Sequence, residues 1–295
     1  MRTVYLGTSD FAVRVLRRLA DSPHRPELVI TRPDRPKGRG RKLQSPPVAD
    51  AARELGLPLS QPDSVNSEEA RAEITAARPD EVLICAFGAL IKEPLLSEHP
   101  MLNVHPSLLP RWRGAAPIER AIEAGDVTTG VCIMRPIAEM DAGPVCAVRE
   151  VPVDPEDDFG TLSTKLAEAG GELLVQVLDE RPDCREQPHE GMTEAPKITA
   201  EDRQLRPDED AETLLRRVRA LNPHVGTWIE LPNGDRLGVR RAAVANDGGA
   251  GPGELAARDG RLVYGGIELV EVQPAGGRAM EAAAWLRGQG ARIVG

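Results

Sequence analysis

Met101-Leu102-Asn103-Val104-His105-Pro106-Ser107-Leu108-Leu109-Pro110-Arg111-Trp112-Arg113-Gly114-Ala115-Ala116-Pro117 joins an apolar run to a proline-punctuated turn, and its reading decides the fold. The run before Pro106 has strand character. Residues two apart on a strand project from one face, so Asn103 and His105 point the same way. Pro106 lacks the N–H that a ladder needs and ends the strand, leaving the pair at its carboxyl edge. In open α/β sheets, ligands bind at that edge.

Upstream, strand and helix patterns alternate. Thr3-Val4-Tyr5-Leu6-Gly7 reads as a buried first strand, and Thr8-Ser9-Asp10 supplies turn and N-cap chemistry for a helix with Phe11, Val15 and Leu19 on one stripe. This turn lacks the G-x-G-x-x-G spacing of a dinucleotide site. Further strands are expected over 28–31 and 81–86, and helices over 47–55 and 67–77, the second stopped near Arg78-Pro79. Downstream, a helix is expected over 114–124 with Gly125 terminating it, then a strand over 129–134, a loop holding Asp141, and extended chain over 144–148. A helix over 161–178 buries Leu162, Leu166, Leu173 and Val177, with Gly170-Gly171 as its weak point. The alternation predicts an α/β, doubly wound, mostly parallel sheet.

The polar, proline-rich stretch from Arg181 to Gly191 marks a boundary. A helix over 211–221 follows it, then short strands with hairpin signals at Asn233-Gly234 and Asp259-Gly260. The pattern predicts a second, small β domain. We divide the chain into a first domain over residues 1–185, a linker over 186–202 and a C-terminal domain over 203–295.

Bulk properties narrow the function. At 295 residues one or two domains are expected, and no stretch approaches the roughly 20 apolar residues of a membrane span. The amino terminus carries no secretory pattern, which predicts a cytoplasmic protein. A net charge of −9 disfavours general nucleic-acid affinity, although the 13 arginines from Arg203 onward leave that part free of the acid excess. Cys85, Cys132, Cys146 and Cys184 form no C-x-x-C pair and read as buried free thiols. The histidines show no ligand spacing, so no metal is expected. From Arg32 to Leu43, six basic residues stand against one acid, in a segment whose prolines and glycines predict an exposed loop.

An Asn amide beside an imidazolium is a donor pair suited to a developing oxyanion, yet two such residues could equally be a structural hydrogen-bond pair. The longer string separates these readings. Asn103 to Pro110, together with Glu139-Met140-Asp141-Ala142-Gly143, resembles the signature of the folate-dependent formyltransferases, and Arg111 to Ile118 resembles the methionyl-tRNA formyltransferases among them. The resemblance runs over nearly the whole chain and is densest from Gly7 to Val145.

That resemblance implies a Rossmann-like formyltransferase domain followed by an OB-like β-barrel that binds tRNA. It implies Asn103, His105 and Asp141 as catalytic residues, and Ser107, Leu108, Leu109, Pro110, Phe87, Gly88 and Leu90 as walls of a folate site. Arg35, Lys37, Arg39, Arg41 and Lys42 match the loop that engages the acceptor end of initiator tRNA. The implied activity is transfer of the formyl group of 10-formyltetrahydrofolate to methionyl initiator tRNA for initiation of translation, by a monomer that uses no metal. Rival readings are a formyltetrahydrofolate hydrolase, a nucleotide-sugar formyltransferase, and an RNA-binding module on an inactive fold. The basic loop argues against the first two, and retention of Asn103, His105 and Asp141 together argues against the third.

Overall fold

The computed structural model describes residues 1–37, 42–206, 208–245 and 254–290. In chain order its elements are β1 (Thr3–Gly7), α1 (Asp10–Ala20), β2 (Pro26–Ile30), β3 (Arg35–Lys37), β4 (Lys42–Gln44), α2 (Pro47–Glu54), β5 (Leu59–Ser60), α3 (Glu68–Ala76), β6 (Glu81–Cys85), α4 (Leu95–Glu98), β7 (Met101–His105), β8 (Arg113–Gly114), α5 (Pro117–Ala124), β9 (Thr128–Met134), β10 (Val145–Pro152) and α6 (Phe159–Glu180). Then follow β11 (Glu194–Ala195), α7 (Ala211–Leu221), β12 (Thr227–Glu230), β13 (Arg236–Val244), β14 (Leu255–Arg258), β15 (Arg261–Tyr264), β16 (Ile267–Pro274), β17 (Met280–Glu281) and α8 (Ala282–Trp285). The chain divides into two compact units: Met1–Gly114, Thr128–Pro152 and Ser163–Glu194 form the first, and Ala115–Val127, Val153–Leu162 and Ala195–Gly295 the second. Neither is continuous in sequence.

The first unit is built on a seven-stranded sheet in the order β10-β9-β7-β6-β1-β2-β5. The five strands from β5 to β7 run parallel, whereas β9 is antiparallel to β7 and β10 to β9. Every residue of β1 is buried, as expected for a parallel strand covered on both faces. Ser9 caps α1, its hydroxyl accepting the Ala12 N–H, and Phe11, Val15 and Leu19 are buried as the sequence periodicity predicts.

Four expectations need correction. Gly170 and Gly171 are packing positions rather than a weak point: a Cβ at Gly170 would lie 3.0 Å from Val104 Cγ1, and one at Gly171 would lie 3.0 Å from Arg18 Cβ. Their missing side chains let α6 approach β7 and α1 closely. The helix expected from Gly114 begins at Pro117, because Arg113 and Gly114 stay extended and the ring of Pro117 suits a first helical turn. Gly125 does end it, at φ 74°. The basic segment is not all loop, since Arg35–Lys37 pairs antiparallel with Lys42–Gln44. Finally, only Cys85 and Cys132 are free; Cys146 and Cys184 form a disulfide. Val145 and Arg185 exchange both backbone hydrogen bonds, each 2.8 Å, so the next pair outward stands directly opposite across the ladder. With the two cysteines 38 positions apart, spacing alone gave no sign of that pairing.

The second unit centres on an antiparallel sheet in the order β12-β13-β16-β15-β14, with β17 added to β16. Leu237, Val239, Leu262, Ile267, Leu269 and Val272 supply its buried face, against Leu214 and Val218 of α7 and Trp285 of α8. Asp259 and Gly260 both take positive φ, 48° and 75°, in the tight turn between β14 and β15. α5 belongs to this unit through Arg120, which binds Asp202 at 3.1 Å, and Glu119, which meets His224 at 3.0 Å.

Candidate active site

β7 is the last parallel strand, held by β6 on one side and β9 on the other. Its register sets Asn103 between Ile84 and Met134, and His105 beside Cys132. Asn103 is half-buried and His105 is buried. His105 Nε2 lies 2.9 Å from the Trp112 carbonyl oxygen, which can only accept, so that nitrogen carries hydrogen. Its Nδ1 lies 3.6 Å from Asp141 Oδ2. The same carboxylate oxygen accepts the Gly114 N–H at 2.9 Å. The two ring nitrogens thus face oxygen acceptors on opposite sides.

Two residues here sit in the left-handed region, Trp112 at φ 64° and Asp141 at φ 52°. Such positions cost about 1–3 kcal/mol each and persist where the surroundings over-determine them. They do so here. The Trp112 N–H donates to Thr193 Oγ1 at 2.9 Å, the Arg113 N–H donates to the Thr193 carbonyl at 2.9 Å, and Gln187 Nε2 donates to the carbonyls of Asp141 and Gly143 at 2.7 and 2.8 Å. Gly143 permits the tight approach, since a Cβ there would lie 2.0 Å from the Arg135 carbonyl oxygen.

The other residues singled out in the sequence distribute unevenly. Ser107 is fully buried and its hydroxyl donates to the Arg111 carbonyl at 2.6 Å, so it shapes the turn from within. Leu108, Leu109 and Pro110 are half-buried after a cis Leu109–Pro110 peptide, with Leu108 seated over Gly130 and the Leu109 N–H directed at Cys132 Sγ, 3.4 Å away. Phe87 is buried, Gly88 has φ 73° and open space where a Cβ would project, and Leu90 is 55% exposed. This loop stands at the topological switch of the sheet, where the chain passes outward from β1 through β2 and β5 and then returns to β6 on the other side. Thr8, just after β1, donates its hydroxyl to the Phe87 carbonyl at 2.7 Å, bridging the two carboxyl ends. Thus Asp141 stands against His105 on the strand that also carries Asn103, and the Phe87–Leu90 loop opens from the neighbouring strand.

Arg35 is exposed on β3, and Lys37 and Lys42 close the described part of the hairpin as a backbone pair. Arg39 and Arg41 lie outside the described residues. The hairpin's base is anchored, with Gln61 Nε2 donating to Asp34 Oδ1 at 2.7 Å and to the Arg32 carbonyl at 3.0 Å. A cavity of about 520 Å³ lies elsewhere, in the second unit, where Arg219, Arg240 and Arg241 face Glu156, Asp158 and Glu271. Its balanced charge and lack of any of the residues above set it apart from this site. Burial pushes the Cys132 thiol up to about 11 and the Cys85 thiol up to about 12, which rules both out as nucleophiles near neutral pH.

Sequence reasoning missed Gln187, Thr193 and the backbone groups of Trp112 and Gly114. Trp112 and Gly114 lie in the Arg111–Ile118 string, which gave no role to their backbone, and Gln187 and Thr193 belong to no motif. The one available signal was a polar stretch too rich in hydrogen-bonding side chains to be mere spacer.

Residues 1–178 match the formyl transferase family, and residues 197–290 match the formyl transferase C-terminal domain. A methionyl-tRNA formyltransferase of Neisseria meningitidis is 40% identical over 98% of this chain and 97% of its own length. The chain belongs to the methionyl-tRNA formyltransferase family. Another member, from Halorhodospira halophila, is 41% identical over 98% of this chain and 96% of its own length. The fold is shared more widely, as in HypX from Aquifex aeolicus in complex with tetrahydrofolic acid, which superposes with a TM-score of 0.68 at 20% identity and covers 98% of this chain and 47% of that one. Membership in the family makes this chain a formyl-transferring enzyme.

Proposed function

We propose that this chain transfers the formyl group of 10-formyltetrahydrofolate to the α-amino group of methionyl initiator tRNA, and that Asn103, His105 and Asp141 carry the reaction. The observation that supports the assignment is the Asp141 carboxylate held against His105, on the strand edge that also presents Asn103. The amine attacks the formyl carbon, forming a C–N bond and a tetrahedral intermediate with a negative oxygen. Asn103 donates its amide N–H to that oxygen, and His105 Nε2–H exchanges the Trp112 carbonyl for it as substrate seats. Asp141 fixes the ring and takes up the ammonium proton directly or through water. Collapse breaks the C–N bond to the folate nitrogen, which receives the proton. No covalent enzyme intermediate is required.

The folate substrate fits the loop Phe87, Gly88 and Leu90 together with the turn Ser107, Leu108, Leu109 and Pro110. Gly88 leaves space beside it, and Leu90, Leu108 and Leu109 offer apolar surface to a pterin. Arg35, Lys37, Arg39, Arg41 and Lys42 would engage the acceptor end of the tRNA, because a planar guanidinium can grip phosphate and stack on an unpaired base. Residues 1–185 would then be the catalytic domain, 186–202 the connection, and 203–295 an OB-like barrel for the tRNA, in a cytoplasmic, monomeric enzyme. The antiparallel sheet of the second unit and the arginines from Arg203 onward support that assignment.

A single-turnover assay with 10-formyltetrahydrofolate tests the proposal, with methionine-charged initiator tRNA, charged elongator tRNA and water compared as acceptors. Formyl appearing on the initiator alone is expected. Formate release without dependence on tRNA would mean a hydrolase and would remove both RNA-facing assignments.

A further inference from the structure

Gln187 stands at the centre of a ring of contacts around Asp141. Its Nε2 donates to the carbonyls of Asp141 and Gly143 at 2.7 and 2.8 Å, and its Oε1 accepts from Arg113 Nε and a terminal Arg113 nitrogen at 3.0 and 2.8 Å. A primary amide has two hydrogens to donate and two lone pairs, and all four are used. The orientation is unambiguous, because a guanidinium can only donate and a carbonyl can only accept.

These partners are not arbitrary. One pair of bonds holds the loop that carries the Asp141 carboxylate, at a residue in the left-handed region. The other holds Arg113, next in chain to Gly114, whose N–H grips the same carboxylate at 2.9 Å. Gln187 therefore fixes both the segment that bears the carboxylate and the segment that clasps it. Gln187 is itself tethered, since Arg185 pairs with Val145 and Cys184 is bonded to Cys146 just before it, while Thr193 hydrogen-bonds Trp112 and Arg113 after it. Misplacing a reacting group by about 1 Å can cost on the order of 10²-fold in rate, so a side chain that closes such a ring has kinetic weight without touching substrate.

We infer that Gln187 is a positioning residue for the formyl-transfer site, setting the Asp141 carboxylate against His105. The inference rests on the reading of Asn103, His105 and Asp141 given above, and the control is chosen to separate the two. Gln187→Glu keeps the reach and the Arg113 contact but points an oxygen at two carbonyls; Gln187→Ala removes all four bonds; Asp141→Asn is the control. Turnover on saturating methionyl initiator tRNA and 10-formyltetrahydrofolate is measured beside both KM values, the melting temperature, and the ¹⁵N resonances of the His105 ring in histidine-labelled protein, assigned against His105→Ala.

The expected result is a fall in turnover of about 10- to 100-fold in both Gln187 variants, with KM values within roughly twofold and a shifted His105 ring resonance in the still-folded Gln187→Glu chain. Wild-type turnover in the Gln187 variants beside a crippled Asp141→Asn would overturn the inference alone. So would losses of turnover that merely follow the melting temperature, with the His105 resonance unmoved. Wild-type turnover in Asp141→Asn would instead overturn the catalytic reading on which the inference stands.

Discussion

The Asp141 loop and the β3–β4 hairpin are both short excursions from the same sheet, and they are held in opposite ways. Asp141 is gripped through its backbone by Gln187 and through its carboxylate by Gly114, and surrounding hydrogen bonds maintain its own left-handed backbone. The hairpin is anchored at its base by Asp34, Arg53 and Gln61, while the residues it extends, Arg35, Pro36 and Leu43, are exposed, Leu43 by 70%. The difference suits the separate roles proposed for them above. Chemistry at a formyl carbon needs groups fixed to fractions of an ångström, whereas a long polyanion is met by charges that project outward.

The comparison can be broken at its fixed end first. His105→Ala and Asn103→Ala should each lower turnover by about 10²- to 10³-fold, with the KM for tRNA changed by no more than roughly threefold. A variant that kept full turnover would take its residue out of the mechanism. Pressure from behind the strand sharpens the point. Gly170→Ala places a methyl group 3.0 Å from Val104, between the two site residues in sequence, and should destabilise the chain by about 1–3 kcal/mol in urea unfolding. An unchanged midpoint would show that α6 can give way there.

In the basic segment, Arg39→Ala, alone or with Arg35→Ala, should reduce kcat/KM for tRNA by about tenfold and leave the KM for 10-formyltetrahydrofolate alone. For every phosphate that is no longer neutralised, the log–log salt dependence should also flatten by about 0.7 to 0.9. Kinetics unchanged at limiting and saturating tRNA would remove the hairpin from recognition. The smallest effect concerns the buried thiols. Because burial raises the Cys85 thiol from 9.0 to about 12, its contribution to stability is present below pH 9 and is lost as pH rises through 12. Cys85→Ala should flatten the alkaline limb of a melting-temperature profile in that window, and neither Cys85 nor Cys132 should react with a thiol reagent in the native chain at neutral pH. Prompt labelling would contradict the burial of both.

Much of the first unit was legible in the sequence because its signals are local. The buried run Thr3–Gly7, the Ser9 cap and the stripe on α1 each follow from residues a few positions apart. Asn103 and His105 were legible for the same reason, since alternation along a strand sets their common face. Asp141 required the resemblance to a family, because an Asp before Ala-Gly is ordinary turn chemistry. What stayed hidden depends on long-range approach. The Gln187 bonds span 44 and 46 residues to Gly143 and Asp141, the disulfide spans 38, and the value of Gly170 lies in Val104 and Val131 across the sheet. Read along the chain, Gln187 lies in a linker and Gly170 in a helix that would prefer alanine.

β7 lies where the sheet reverses direction, with a parallel neighbour at Ile84 and an antiparallel one at Met134. A slip of one residue would turn Asn103 and His105 to the opposite face, and such a slip must break a ladder on each side at once. Hydrogen bonds alone would not forbid the slipped state, since both ladders repeat along the strand; packing does, because Val104 would leave the face that meets Gly170 of α6. The strand's register is therefore set by what packs behind it as well as by its two neighbours, and that packing carries Asn103 and His105 to the open edge.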